Sequence, residues 1–279
     1  MIQQTLQNSI RFIPWRARTA VKRIPLVASF QRKLLAHALE GNEFVHTIDA
    51  GPAQGLKYPV LLPEDKGVWT GTYEIDFVDA LARSVEKGAT CFDVGGWRGY
   101  CGGTMAAQGA SRVVIFEPLP GNCERIQRMI DLNPDYPIEL VNAAAGESNG
   151  TATFEVMDAT SMGKLADSPF QQDVSGSENL TVDVVALDAW CDAHNATPPS
   201  VMKIDVEGAE MMVLRGAKKL LHESYPALFV EAHSRELTRE VSEFLRKIGY
   251  DVRTLETGNA PDGTSEPEVC HIVACRTAR

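Results

Sequence analysis

The sequence predicts an α/β protein built around a doubly wound, mainly parallel sheet. Short apolar runs alternate with segments whose apolar residues recur at helical spacing, which is typical of strands joined by helical crossovers. At the end of one such run, the carboxylates Asp205, Glu207 and Glu210 precede a helical pattern. Open parallel sheets bind ligands beside strand ends of this kind. The chain has 279 residues, 44% of them hydrophobic, which suits one large domain with a small extension.

The predicted elements follow one another in a regular order. A helical pattern begins at residue 75 and stops at Gly88, and a later helix begins at Pro120, because proline suits a first helical turn. Further helices are predicted around residues 104–108, 213–221 and 237–248. The predicted strands cover residues 90–94, 113–116, 138–143, 201–204, 227–230, 250–255 and 269–275. No helix separates the last two of these seven strands, so the last one is predicted to run antiparallel.

Residues 144–180 interrupt this alternation. Residues 151–156 are predicted to form an extra strand, and the polar stretch that follows contains many Ser, Asp and Gly residues. An insertion at residues 157–180 is either a lid over the sheet edge or a surface excursion. The predicted domains are an N-terminal helical extension and linker at residues 1–67 and the main domain at residues 68–279.

Charge and composition exclude several classes of protein. A net charge of -10 argues against general nucleic-acid binding. Residues 1–40 carry seven Lys or Arg and one acid, so they either contact an anionic membrane surface or, in the favoured interpretation, form a solvated helical cap. The chain shows no apolar membrane span and no secretory signal. The six cysteines lack zinc-site spacing, which predicts free thiols and a cytoplasmic protein.

A glycine-rich turn is predicted to follow the first strand of the sheet. Asp93 precedes Gly95, Gly96 and Gly99, and Glu117 ends the next strand, where a carboxylate can accept hydrogen bonds from ribose hydroxyls. Either NAD or S-adenosylmethionine fits these features. The glycine spacing differs from the G-x-G-x-x-G of NAD sites, and an acid before the glycines suits the cationic methionine end. The turn therefore modestly favours S-adenosylmethionine.

Several motifs in order resemble one enzyme family. They are Gly-Thr-Tyr-Glu at 71–74, Phe-Asp-Val-Gly at 92–95, Ile-Phe-Glu-Pro at 115–118, Val-Asn-Ala-Ala at 141–144, Lys-Ile-Asp-Val-Glu-Gly-Ala-Glu at 203–210 and Glu-Ala-His at 231–233. With them, residues 68–235 resemble the FkbM family of S-adenosylmethionine-dependent methyltransferases. The resemblance implies a Rossmann-like class I methyltransferase fold, with a seven-stranded sheet whose last strand is antiparallel.

The resemblance also implies a set of cofactor-binding residues. They are Asp93, Gly95 and Gly99 at the methionine end, Glu117 at the ribose, Asn142 near the adenine, and Tyr73, Glu74 and Asp205 beside the cofactor. Glu74 has an alternative role in the first turn of the following helix, where acids are favoured. Trp97 departs from the family, which usually has asparagine there; its indole either narrows the methionine pocket or points into the core.

The acids at the strand ends suggest how an acceptor is activated. Methyl transfer is an in-line displacement, and a hydroxyl acceptor needs a base or a metal ion to become a good nucleophile. Asp205, Glu231 and His233 are predicted to converge as catalytic residues, with His233 the favoured base because an unperturbed imidazole has a pKa of ~6.5. The alternatives are a divalent cation such as Mg²⁺ held by Asp205 and Glu231, or a surface position for His233. Glu207 is assigned to the cleft or to the helix, and Glu210 to the helix.

The sequence thus predicts an S-adenosylmethionine-dependent methyltransferase. Its expected reaction is O-methylation of a hydroxyl on a sugar, glycan or secondary metabolite, so its partner is a small-molecule or glycan acceptor. Two alternatives stay open at this point. One is a methyltransferase-like binding protein that has lost turnover, suggested by Trp97, and the other is an NAD-dependent oxidoreductase.

Overall fold

The computed structural model describes most of the chain. The described residues are 43–156, 163–165, 178–261 and 265–276. The basic segment at residues 1–40 and most of the predicted lid lie outside them, so the helical extension, its membrane contact and the lid stay predictions. Among the described residues, none of the helices combines the length and apolarity needed to cross a membrane.

Helices and strands alternate through the main domain much as the sequence predicts. The strands are β1 (Glu43–Thr47), β2 (Lys57–Leu61), β3 (Thr90–Val94), β4 (Arg112–Phe116), β5 (Ile138–Val141), β6 (Ala144–Ala145), β7 (Gly150–Val156), β8 (Gly163–Leu165), β9 (Glu178–Val185), β10 (Val201–Ile204), β11 (Ala227–Ala232), β12 (Tyr250–Thr254) and β13 (Cys270–Arg276). The helices are α1 (Lys66–Thr70), α2 (Ile75–Arg83), α3 (Tyr100–Ala107), α4 (Pro120–Leu132), α5 (Leu187–His194), α6 (Glu210–Gly216), α7 (Lys218–Glu223) and α8 (Arg235–Lys247).

The main sheet has seven strands in the order β12-β13-β11-β10-β3-β4-β5. Strand β13 is antiparallel to both of its neighbours, while β11, β10, β3, β4 and β5 pair in parallel. This confirms the predicted doubly wound sheet and its antiparallel last strand. From β3 the chain proceeds outward to β4 and β5 and later returns to β10 on the other side. The strand order therefore reverses between β3 and β10, which is where ligands bind in open α/β sheets.

Apolar side chains cover both faces of this sheet. On one face, Phe92 and Met202 pack with α5, α6, α7 and α8, and on the other face Val113 and Phe229 pack with α2, α3 and α4. Central parallel strands are normally buried in this way, between two layers of helices. The two layers hold the strand ends in fixed positions at the edge where the glycine turn begins.

A second, four-stranded sheet in the order β6-β9-β7-β8 lies beside the main one. The predicted strand at residues 138–143 ends at Val141, because Ala144 and Ala145 pair with β9 in this second sheet instead. The predicted extra strand at 151–156 is confirmed as β7. Neither β9 nor α5 is predicted by the sequence pattern.

The helical pattern at residues 213–221 forms two short helices, α6 and α7, rather than one. The break follows Gly216, whose backbone lies so close to the loop between β6 and β7 that a Cβ atom there would be 1.9 Å from the carbonyl oxygen of Gly146. Close packing of two backbones thus overrides the continuous helical pattern of the apolar residues.

The β1–β2 hairpin and α1 pack against the glycine turn from the face that carries α3 and α4. The fully buried carboxylate of Asp65 pairs with Arg98 at 2.6 Å and with Arg125 at 2.5 Å. The hydroxyl of Tyr58 donates to the carbonyl oxygen of Arg98 at 3.1 Å. Residues 43–67, assigned to the extension and linker in the predicted division, therefore share a core with the main domain.

We expect Asp65→Asn to lower the free energy of unfolding by about 3–5 kcal/mol, because it leaves two guanidinium groups without their carboxylate in a buried site. Chemical denaturation measures this change. The matched control is Asp79→Asn, which removes an exposed ion pair with Arg83 and should change stability by less than about 0.5 kcal/mol. Equal effects of the two substitutions would contradict the structural role of Asp65.

Candidate active site

A cleft opens at the carboxyl edge of the sheet, between the ends of β3, β4, β10 and β11. It encloses a cavity of about 290 Å³, close to the lower limit for small-molecule sites. Six of the residues predicted to form the site line it: Tyr73, Glu74, Gly95, Glu117, Asp205 and Glu231.

Lys203 ties together the two strand ends at the centre of the cleft. Its side chain is buried, and its Nζ donates to the carbonyl oxygen of Gly95 at 2.6 Å and lies 3.1 Å from Asp205 and 3.4 Å from Asp93. Burial alone lowers the pKa of Lys203, but the charges of Asp205 and Asp93 raise it well above its ordinary value. The ammonium group therefore keeps its positive charge beneath the glycine turn.

Gly95 lets the turn cross directly over the end of β10. Its φ is 77°, and a Cβ atom at this position would lie 1.7 Å from the carbonyl oxygen of Asp205. Any side chain would push the two strand ends apart. Gly95 also lines the cavity.

Glu117 is held rigidly at the other side of the cleft. Its carboxylate accepts hydrogen bonds from the backbone N–H groups of Trp97 at 2.8 Å and Leu119 at 3.0 Å, and from the Asn122 amide at 3.1 Å. Burial raises the pKa of Glu117 to about 7 although these hydrogen bonds oppose the shift. A carboxylate oxygen has two lone pairs, so Oε2, which accepts the Trp97 N–H, has the capacity to accept a further hydrogen bond from a ligand.

His233 lies behind the cleft carboxylates and is 6% exposed, so it is not the surface residue of the alternative prediction. Its Nδ1 is 2.8 Å from Glu210, while its Nε2 is 3.4 Å from Glu207, 3.7 Å from Asp205 and 3.9 Å from Glu231. Burial lowers the pKa of His233, but the hydrogen bond to Glu210 and the surrounding carboxylates raise it to about 9. His233 is therefore an imidazolium near neutral pH, unlike the neutral base expected from an unperturbed imidazole.

Three non-glycine residues in the cleft wall have left-handed backbone conformations. They are Glu74 with φ 35°, Trp97 with φ 48° and Glu207 with φ 53°. Such conformations are costly and often occur at functional sites. Glu74 immediately precedes α2, and its side chain does not cap that helix. Burial raises the pKa of Glu207 to about 7, which is suitable for proton transfer near neutral pH.

The remaining predicted site residues do not line the cavity. Asp93 is fully buried beside Lys203, and Gly99 packs under the turn against Met129 of α4. Asn142 is exposed, and its side-chain oxygen lies 3.3 Å from the Cys123 sulfur. The roles assigned to these residues beside a cofactor stay predictions.

The sequence does not identify the apolar part of the cleft wall. Its apolar wall consists of Phe116, Pro118, Leu119, Ala144, Ala145, Phe154, Val206 and Ala209. Phe154 comes from the second sheet; the sequence places it in the predicted strand at 151–156 but gives it no role in the cleft. Trp97 does not point into the core: it lines the cavity, where its ring stacks on Tyr73 with 5.5 Å between centroids and lies 4.7 Å from the Arg98 guanidinium.

Side chains that could hold a cation are present in the described part of the cleft. Asp205, Glu231 and His233 offer ligand atoms within 4.8 Å of one another, and so do Glu74, Glu231 and His271. Burial opposes ionisation of Glu231, but the hydrogen bond from His271 lowers its pKa, so this group stays charged. The cleft thus presents an excess of carboxylates over cations.

Comparison with known proteins identifies the family. A family profile described as the Methyltransferase FkbM domain matches residues 92–252. The chain belongs to the FkbM methyltransferase family. This membership agrees with the seven-stranded sheet, confirms the fold predicted from the motifs and leaves the oxidoreductase alternative without support.

Individual relatives of this FkbM protein are distant. It is 26% identical to hexuronic acid methyltransferase AglP of Haloferax volcanii over 172 residues, which cover 62% of this chain and 67% of that protein. A solved FkbM methyltransferase from Methylobacillus flagellatus is 16% identical with a TM-score of 0.47; the match covers 92% of this chain and 61% of that one. A precorrin-6y C5,15-methyltransferase from Geobacter metallireducens is 12% identical with a TM-score of 0.46; the match covers 74% of this chain and 88% of that one.

We expect Lys203→Met to lower the free energy of unfolding by about 3–5 kcal/mol at neutral pH, because Asp93 and Asp205 lose their buried counter-ion. Both carboxyls already have raised pKa values through burial. Without Lys203 the pKa values of Asp93 and Asp205 rise further, so the folded variant binds more protons than the unfolded chain does. The loss of stability caused by the substitution therefore shrinks as the pH falls. Denaturation curves recorded across a range of pH measure this loss. The double variant Lys203→Met/Asp93→Asn should recover part of the stability, because it removes one of the two carboxylates left without a counter-ion. A loss independent of pH, with no rescue, would contradict the account.

Proposed function

We propose that this protein transfers a methyl group from S-adenosylmethionine to a hydroxyl group of a sugar or glycan. The observation that carries the proposal is the convergence of the Gly95 turn, the Glu117 carboxylate and the cluster of Asp205, Glu207 and Glu231 on one cleft. Membership of a methyltransferase family supports the reaction class.

The cleft fits the chemical groups of S-adenosylmethionine. Carboxylates outnumber cations at its strand-end side, which suits a ligand with a sulfonium and an ammonium group. Glu117 has acceptor capacity for ribose hydroxyls, as carboxylates after this strand commonly do. Pro118, Leu119 and Phe154 give the cavity an apolar surface for a purine ring. We therefore assign the cofactor to Glu117, Gly95, Tyr73, Glu74 and Asp205. Contacts from Asp93, Gly99 and Asn142, which do not line the cavity, stay predictions.

The residues of the cleft also supply what an acceptor hydroxyl needs. S-adenosylmethionine, when bound, provides a methyl group on a good leaving group. Asp205, Glu207 and Glu231 line the cavity and can accept the hydroxyl proton, and burial raises the pKa of Glu207 to about 7. The imidazolium of His233 and the ammonium of Lys203 balance these carboxylates from behind. Positioning and proton removal are thus the main contributions of the protein.

A sugar acceptor is supported by two independent observations. Carboxylates aligned along the cleft are good hydrogen-bond acceptors for several hydroxyl groups at once. In addition, the curated relative is named a hexuronic acid methyltransferase. A cation held by Asp205 and Glu231 is the proposed alternative to direct proton acceptance by these carboxylates.

We expect Glu117→Gln to weaken binding of S-adenosylhomocysteine roughly tenfold to a hundredfold, because ribose hydroxyls lose a charged acceptor. Wild-type affinity should also fall as pH drops through the Glu117 pKa of about 7, whereas the variant should not show this step. Quenching of tryptophan fluorescence on either side of that pH measures both effects. Glu139→Gln, which removes an ion pair with Arg112 outside the cleft, is the control. Unchanged affinity in Glu117→Gln would remove Glu117 from the cofactor site.

We expect Asp205→Asn to lower kcat at least about a hundredfold, since proton transfer contributes on this scale. Binding of S-adenosylhomocysteine should change little, because the asparagine keeps a hydrogen-bonding side chain of the same size beside the cofactor. Transfer of labelled methyl groups to a panel of neutral sugars, amino sugars and hexuronic acids measures the rate. Full activity of the variant would exclude Asp205 from catalysis.

The same assay separates the remaining alternatives. Transfer that persists in EDTA supports direct proton acceptance by the carboxylates. Loss in EDTA with recovery in Mg²⁺ assigns the cation instead. Cofactor binding without transfer to any acceptor class would support the binding-protein alternative.

A further inference from the structure

Three of the cleft carboxylates share one buried partner. Asp205 and Glu207 come from the segment after β10, and Glu231 comes from the end of β11. Each has an oxygen between 3.4 and 3.9 Å from the Nε2 atom of His233. Carboxylates so close together repel one another when they ionise, so their arrangement depends on where this imidazole nitrogen lies. His233 itself lies behind them and is not part of the cavity wall.

One residue fixes the other nitrogen of the ring. Glu210 is completely buried, and its Oε1 lies 2.8 Å from Nδ1 of His233. A carboxylate oxygen accepts in such a pair, so Nδ1–H is the donor. The same Oε1 accepts the backbone N–H of Gly208 at 3.0 Å, which anchors Glu210 to the loop that carries Glu207. The ring is therefore held in the orientation that turns Nε2 toward the cleft.

We propose that Glu210 is a positioning residue of the methyl-transfer site: it orients His233 so that Nε2 gathers Asp205, Glu207 and Glu231 at the acceptor side of the cleft. The proposal rests on the proposed function of that cleft. It gives Glu210 a role beyond the helix assignment made from the sequence, although Glu210 is also the first residue of α6.

A purely structural role of Glu210 makes a different prediction. A carboxylate that only anchors the start of a helix stabilises the fold and leaves the rate constants of the folded enzyme unchanged. The chain offers a matched control of this kind in Asp188, which accepts the backbone N–H groups of Lys219 and Leu220 at the start of α7. Asp188 does not line the cavity.

The test compares Glu210→Met, Glu210→Gln and Asp188→Asn in the full-length protein. Glu210→Met fills the space without an acceptor, and we expect kcat to fall roughly a hundredfold with the Kd for S-adenosylhomocysteine within about threefold of wild type. Glu210→Gln keeps an acceptor oxygen for Nδ1–H and should recover most of that loss. Asp188→Asn should keep the wild-type kcat even if its melting temperature falls.

Proton and nitrogen NMR of the imidazole provides a readout that does not depend on turnover. In the wild-type protein, Hδ1 of His233 should give a downfield resonance protected from exchange. This resonance should persist in Glu210→Gln and disappear in Glu210→Met.

Each result decides for or against the positioning role. A wild-type kcat in folded Glu210→Met, equal losses of kcat in Glu210→Met and Glu210→Gln, or no protected Hδ1 in the wild type would overturn it. If Glu210→Met does not fold, the NMR spectrum of the wild-type protein still tests the proposal through the Hδ1 resonance of His233. A wild-type protein that binds no S-adenosylhomocysteine would instead overturn the proposed function, and the positioning role with it.

Discussion

The buried ammonium group of Lys203 joins the two strand ends on which the whole cleft depends. It compensates Asp93 and Asp205 on neighbouring strands and donates to the backbone of Gly95, where a Cβ atom has no room. This junction fixes the glycine turn, which holds the Trp97 N–H group where it donates to the Glu117 carboxylate. The positions that serve the cofactor and the acceptor in the proposed function are therefore set by one buried charge network.

The electrostatics of the site have two layers. Cations lie behind, at Lys203 and His233, and carboxylates face the cavity, at Asp205, Glu207 and Glu231. The buried cations hold the carboxylates close together. The carboxylates outnumber these cations, which leaves the cavity negative. A cavity with this charge is complementary to a cationic methyl donor. The same arrangement also explains why His233 holds its proton instead of serving as the neutral base.

The sequence predicts the main sheet well because its strands are short, apolar and separated by helices, and because every quoted motif except the one at 71–74 spans the end of such a strand. It predicts less where contacts between distant segments decide the structure. The break after Gly216, the pairing of Ala144 and Ala145 with β9 and the contribution of Phe154 to the cleft depend on such contacts. Glu210 illustrates the same limit, since its position suggests only a helix start, whereas its burial beside His233 is a tertiary feature.

Calorimetric titration of the wild-type protein with S-adenosylmethionine tests the central claim most directly, because it asks whether the cleft built around Lys203 and Glu117 binds the methyl donor before any acceptor is known. We expect saturable heat with one site per chain, abolished by prior addition of S-adenosylhomocysteine, and no heat with NAD. No binding of either adenosyl compound, or binding of NAD instead, would contradict it.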